Sequence, residues 1–394
     1  MKENGALPAP RAPRRGTETA VVTGASVVSA FGRGVEPLVA AAFDGRPGFQ
    51  PVGRFDVSAR RVGVAALLPG SPVLAGELAR VIGEACDEAG LTAAQRADTR
   101  LFLAVHGDPD LARAPEPEKP RHGADAFAGA IALSSALGGS LADPARAYTS
   151  ACVAASTAVA DAAAIIAHGR ASRIVVAAGY LVEPDQFALF DAGRALAVDG
   201  QVRPFSADRS GLLLGDGVGA VVVESAASAR ERGATVLARL AGWGRAGDAY
   251  HVCKPSPDGS GLSRAITAAL QRGGVDPEAV GYVNAHGSGT PQSDTAESAA
   301  LHRAFGEAVA AVRVSSTKSV HGQALEASAL LELIVTVFAL RGGLLPVNAG
   351  YLGLDENCRL NLVLGGGAKL EADYALSINS AFGGANTAVL VGTP

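Results

Sequence analysis

Ala147-Tyr148-Thr149-Ser150-Ala151-Cys152-Val153-Ala154-Ala155-Ser156-Thr157 is the stretch around which the chain is organised. A short polar lead-in ends at one cysteine. An Ala-rich apolar run from Val153 to Ala167 follows, closed by Gly169. The pattern predicts a strand or loop that delivers Cys152 to the first turn of a buried helix. The unpaired N–H groups and positive dipole end of such a helix favour a thiolate. The plainer alternative is a small core hydrophobe, the usual condition of a free cysteine. The stretch alone does not separate the two.

The whole chain narrows the setting. Its 394 residues are 48% hydrophobic and 18% charged, which suits a large core in one big domain or two fused halves. A net charge of −4 gives no general electrostatic case for nucleic acid. Cys86, Cys152, Cys253 and Cys358 are scattered without a CxxC pair. Neither a metal site nor a disulfide framework is expected, and a reducing cytoplasm fits. No apolar run approaches the roughly 20 residues of a membrane span. Residues 1–18, rich in Pro and Arg and without an apolar centre, read as a disordered leader rather than a signal peptide.

Along the chain, strands alternate with helices. Thr19 to Gly24 is a buried strand, with a turn from Ser26 to Phe31. Val35–Phe43 and Leu74–Ala89 have helical spacing, and Leu101–Val105 is a buried strand. Asp108–Gly123 is a Pro-rich charged loop and Asp125–Leu137 a helix. Ile174–Ala178 and Gly219–Glu224 are strands on either side of the turn Arg203–Gly211. Later come strands at Val236–Gly242, Val280–Asn284, Val312–Ser315, Ala375–Asn379 and Thr387–Val391, and helices at Gly261–Gln271, Asp294–Phe305 and Ala324–Leu340. Thr317–Gln323 reads as a polar turn. The alternation implies layered α/β architecture. Two halves, 19–225 and 226–394, each place a reactive turn before a buried helix. That suggests an internal duplication with no visible sequence repeat.

Three turns carry reactive groups: Cys152, His286, and the Lys318/His321/Gln323 cluster; Ala381–Asn386 adds Gly-rich backbone N–H groups. A distant cysteine and histidine, each at an element end, can form a nucleophile–base pair. Each piece also has an ordinary reading: a structural histidine, a simple Gly-Ser-Gly-Thr turn, a surface lysine, a core phenylalanine.

Taken in order, the motifs resemble those of the β-ketoacyl synthases, condensing enzymes of fatty-acid and polyketide synthesis. Thr23-Gly24 with Val27–Gly32 is similar to the family's first segment, and Ser150-Ala151-Cys152 with Ser156 to its nucleophile motif. Arg203-Pro204-Phe205 through Gly215-Asp216-Gly217 resembles the "RPFD-DR-G-GEG" block. Asn284–Pro291 with Asp294 and Glu297 resembles "AHGTGT-D--E", Ser316–Ser319 the lysine block, and Phe382–Asn386 the closing "GFGGTN".

The resemblance implies a thiolase-like α/β fold, a duplicated five-layered αβαβα architecture with mixed sheets. It implies that Cys152 takes an acyl group from a carrier-protein thioester, aided by its helix end. The N–H groups of Cys152 and Phe382 would form an oxyanion hole, and Phe382 would also gate the acyl pocket. His286 would polarise the second thioester, and Ser288 and Thr290 would hold the phosphopantetheine arm. Lys318 would be buried, orienting the histidine and neutralised by Glu332. Phe190 would line the acyl pocket, and Arg194 would meet an acidic carrier protein. No cofactor of its own is implied, since substrates arrive on phosphopantetheine. A dimer is expected, with an identical or a ketosynthase-like partner.

The lysine block departs from the family's "K-S-M-T-G-H". It reads Lys318-Ser319-Val320-His321-Gly322-Gln323, so Gln323 takes the second histidine's place. Three readings follow. Gln323 donates a hydrogen bond to a thioester carbonyl in the imidazole's stead; or decarboxylation is lost, leaving an acyltransferase, hydrolase or cyclase; or His321 replaces the imidazole. A non-catalytic partner subunit is a further possibility, which Cys152 opposes. A lesser departure is Glu326-Ala327-Ser328-Ala329 where "GAAG" is usual.

Overall fold

The computed structural model describes residues 18–106 and 142–394. The leader to Thr17, and the loop and helix expected over 108–137, lie outside the described residues.

Among the described residues, ten strands run along the path of the main sheet, and an eleventh, Gly32–Arg33, pairs with the first strand off that path. The first five are β1 (Ala20–Ser29), β2 (Arg100–Val105), β3 (Ala142–Tyr148), β4 (Arg173–Tyr180) and β5 (Gly217–Ser225). The second five are β6 (Ala238–Gly247), β7 (Val280–Asn284), β8 (Arg313–Ser315), β9 (Tyr374–Ala381) and β10 (Ala385–Gly392). Strands β1, β4 and β5 are buried at every position and rich in valine, as strands covered on both faces must be. β1 runs on to Ser29 through the region expected to turn.

The two halves repeat one topology. The first block runs β1-β5-β4-β2-β3 and the second β6-β10-β9-β7-β8. In both, the first two pairings are antiparallel and the last two parallel. The blocks join along one antiparallel seam, where Ala20, Val21 and Val22 of β1 face Leu240, Arg239 and Ala238 of β6.

Helices make the layers. The principal ones are α1 (Val35–Asp44), α2 (Leu74–Glu88), α3 (Ala154–Ala167), α4 (Pro184–Ala192), α5 (Ser260–Gly273), α6 (Pro291–Phe305) and α7 (Ser328–Gly342). α3 and α7 pack on each other and on strands of both blocks, forming the middle layer. α3 is mostly alanine and α7 is buried on nearly all sides, as a helix between the two blocks of the sheet requires. α2 covers β1, β5 and β4 on one outside, and α5, backed by α6, covers β6 and β10 on the other. The result is αβαβα. The outer helices cross their first strands over glycines: a Cβ on Gly24 would run into the Ala85 carbonyl of α2, and one on Gly244 into the Ala265 carbonyl of α5.

Two local expectations change. The polar turn expected over Thr317–Gln323 contains a buried one-turn helix, Lys318–His321. The helix expected from Ala324 begins at Ser328, because the 3-10 turn Leu325–Ala327, entered with Leu325 at φ 41°, comes first. α4 had no expectation from the sequence; its apolar spacing is too weak to announce a helix.

Candidate active site

β3 leads through Thr149 and Ser150 to Ala151, whose φ of 50° is uncommon for a residue with a Cβ. This left-handed step turns the chain into a 3-10 turn, Ala151–Val153, from which α3 departs. Cys152 is 7% exposed at that turn. The turn packs on β9, β10, α7 and the Leu325–Ala327 turn, so the nucleophile segment of one half meets the reactive segments of the other. The Ser156 hydroxyl lies 2.7 Å from the Thr387 hydroxyl of β10 and 3.1 Å from the Val153 carbonyl, pinning the start of α3.

The expected thiolate is not the resting state. Burial pushes the Cys152 thiol up to about 12, the Glu326 carboxylate adds to this, and the Lys318 ammonium opposes it. The lack of water around the sulfur outweighs the favourable helix end.

Gln323 reaches the sulfur. Its Nε2 donates to Cys152 Sγ at 3.4 Å. The amide orientation follows from its neighbours. Ser328 Oγ accepts the Ala324 N–H at 2.7 Å, leaving its own O–H to donate to Gln323 Oε1. The N–H₂ end therefore faces the cysteine. The backbone is held as firmly: Gln323 N–H donates to the Leu213 carbonyl at 2.7 Å, and Gly215 N–H to the Gln323 carbonyl at 3.0 Å. His321 points elsewhere. Its Nε2 lies 3.1 Å from Thr317 Oγ1. Burial, with Lys318 adding, pushes its pKa down to about 3.

The His286 loop follows β7 and is clamped by α6. Glu297 accepts the N–H groups of His286 at 2.6 Å and Gly287 at 2.7 Å, while Asp294 accepts those of Gly289 at 3.1 Å and Phe205 at 2.9 Å. The spacing of these carboxylates, one helical turn apart, is thus a loop-holding device that also ties in the Arg203–Gly211 turn. Burial pushes Glu297 up to about 8, with Asp294 adding and the backbone N–H groups opposing. His286 is itself buried, and burial plus Lys318 hold its pKa well below the usual imidazole range. It is a neutral ring whose Nδ1 has no partner among the described residues. Ser288 and Thr290 lie in the same loop, hydroxyl to hydroxyl at 2.9 Å.

Lys318 is 1% exposed and forms an ion pair with Glu332 of α7, itself fully buried. The expected pairing is present. Phe382 follows β9 and is 56% exposed; its ring stacks on Phe190 of α4 with centroids 6.0 Å apart. Arg194, just beyond α4, is exposed with φ 54°. Sequence reasoning passed over three residues. Ser328 and Glu326 were visible only as a departure from "GAAG", set aside as secondary. His106 closes β2 and hydrogen-bonds Glu326 across the fold.

Among the described residues no group of three His, Cys, Asp or Glu could hold a metal, and no helix is long and apolar enough to cross a membrane.

A layered thiolase-like fold with a buried cysteine, histidine and lysine at its centre defines the class of condensing enzymes. Family models agree: the β-ketoacyl synthase N-terminal domain matches residues 77–229 and the C-terminal domain residues 237–351. The 3-oxoacyl-[acyl-carrier-protein] synthase 2 of Coxiella burnetii is 30% identical over 93% of this chain and 96% of its own length. The synthase 2 of Staphylococcus aureus is 36% identical over 63% of this chain, a match that spans 62% of that relative's length. Among solved structures, a β-ketoacyl synthase from Burkholderia phymatum has TM-score 0.86 at 27% identity, covering 96% of this chain and all of that one. The ishigamide ketosynthase/chain length factor has TM-score 0.86 at 28% identity with the same coverage. The chain belongs to the β-ketoacyl synthase family.

Proposed function

We propose that the protein moves an acyl group from a carrier-protein thioester onto Cys152 and joins it to a malonyl-type thioester, in fatty-acid or polyketide synthesis. The observation that carries this reading is the Gln323 amide, held by Ser328 with its donor end at the Cys152 sulfur. A fixed N–H donor there can stabilise the enolate oxygen that decarboxylation develops, a task that needs a donor rather than a titrating group. The neutral His286 supplies a second donor. The N–H groups of Cys152 and Phe382 serve as the oxyanion hole during acylation. The Phe190–Phe382 stack gates the acyl pocket, and Ser288 and Thr290 hold the phosphopantetheine arm. Lys318, paired with Glu332, keeps His286 neutral.

An acyl carrier protein is the proposed donor, in keeping with the names of the relatives. The proposed assembly is a dimer through β3, the last strand of its block, with an identical or ketosynthase-like partner. Arg194 offers an exposed cation for an acidic carrier surface. The substitution of an amide for the imidazole also supports a second reading, acyl transfer or cyclisation without decarboxylation.

The test uses acyl- and malonyl-carrier protein with the intact enzyme. Mass spectrometry is expected to find an acyl adduct on Cys152, and malonyl-carrier protein to release carbon dioxide. An adduct without carbon dioxide leaves the second reading; no adduct removes both.

A further inference from the structure

We propose that Glu326 and His106 form the proton acceptor for Cys152, an inference that rests on the acyl-transfer reading. Acylation has a proton to place. The Cys152 S–H bond must break as Sγ bonds to the thioester carbonyl carbon. The groups already described do not take that proton well. The Gln323 amide is not basic. His286 is buried beside the Lys318 ammonium, where an imidazolium is disfavoured.

Glu326 is placed for the task. Its 3-10 turn, Leu325–Ala327, packs directly on the Ala151–Val153 turn and also on β4. Entry through Leu325 at φ 41° is a strained step for a branched side chain, held by the packing around it. The carboxyl is 1% exposed. Oε1 takes the His106 Nδ1 hydrogen at 3.0 Å, whereas Oε2 is buried with no partner among the described residues. A buried, unpaired carboxylate oxygen is costly and calls for an explanation. Proton acceptance beside a thiol supplies one.

His106 connects this carboxyl to the outside through its other oxygen, Oε1. Its ring is 58% exposed, and its Nε2 meets the Gln186 amide of α4 at 2.9 Å. The hydrogen bond to Glu326 raises the His106 pKa. The charged and titratable groups around the pair are Glu183 toward His106, Lys318 and Glu332 toward Cys152, and Tyr180 at the end of β4, which Glu326 acts on together with Asp216 and Arg54.

The step balances without any oxidant or co-reactant. The proton of Cys152 passes to Glu326 Oε2 as the S–C bond forms. Collapse of the tetrahedral intermediate breaks the C–S bond to the carrier arm. The proton then returns to the departing sulfur, which leaves as a thiol.

An octanoyl N-acetylcysteamine thioester and iodoacetamide test this on the full chain. The first reads acyl transfer, as the Cys152 adduct by mass spectrometry; the second reads only how readily the thiolate forms. E326Q and E326G are expected to acylate at least tenfold more slowly at pH 7, with rates that climb with hydroxide. Their alkylation is expected to hold or rise, because a negative charge beside the sulfur is gone. H106Q, which keeps the carboxylate, is expected to acylate at an intermediate rate with a shifted pH profile. Acylation at the wild-type rate in both Glu326 variants, or acylation rising together with alkylation, would overturn the relay alone. No adduct on the wild type would overturn the acyl-transfer reading, and the relay with it.

Discussion

At the scale of single residues, the site depends on which end of an amide faces a sulfur. Gln323 could present either Nε2 or Oε1 to Cys152, and only the Ser328 hydroxyl decides. A hydrogen bond of this kind contributes about 1 kcal/mol net. Ser328→Ala should therefore slow carbon dioxide release from malonyl-carrier protein by about fivefold, since the amide could then turn its oxygen where the donor is needed. An unchanged rate would separate Ser328 from the chemistry. His321 illustrates the opposite case, a polar ring that burial has silenced. Folded, its pKa lies near 3 against 6.5 when unconstrained. Between those values the unfolded chain holds a proton that the folded one refuses, so acidification favours unfolding. Wild type should lose about 1.4 kcal/mol per pH unit relative to His321→Gln on going from pH 6.5 toward 3. Denaturant titrations at several pH values would read this, and parallel pH dependences would refute it.

At the scale of elements, the one-turn helix Lys318–His321 is the segment whose composition alone says least about its depth. Its letters alone allow a surface lysine and the family resemblance implies a buried one; all four residues are buried. What makes this tenable is α7, which brings Glu332 to the Lys318 ammonium. Removing one partner leaves the other charge alone in the interior, which costs about 3–5 kcal/mol, whereas replacing both by apolar groups is close to neutral. Lys318→Met should destabilise by that amount in denaturant unfolding, and Lys318→Met with Glu332→Leu should recover most of it. A double variant as weak as the single one would show that the pair contributes beyond its charges.

At the scale of the molecule, neither half has a complete core. The middle layer, α3 and α7, packs on strands of both blocks, and β1 pairs with β6 across the seam. Splitting the halves would expose α7, which is apolar nearly all round. Guanidinium unfolding should accordingly be one transition. Trp243, on β6, is the chain's one tryptophan, so its fluorescence follows the second half, whereas far-UV circular dichroism follows both. Their midpoints should coincide; separated midpoints would mean that the halves unfold independently.

The sequence by itself determined the alternation of elements and the turns carrying Cys152, His286, Lys318 and Phe382. It also determined that buried strands flank them. Valine runs and glycine breaks are local signals, because a residue's tendency to bury or to turn is largely its own. Only the tertiary structure decided the repeated strand order, the direction of the Gln323 amide, and the meeting of His106 with Glu326 from 220 positions away. These depend on what packs across from each group. A hydrogen bond takes its direction from its partner, and a pKa from the water that neighbours exclude; neither is a property of a single position in the chain.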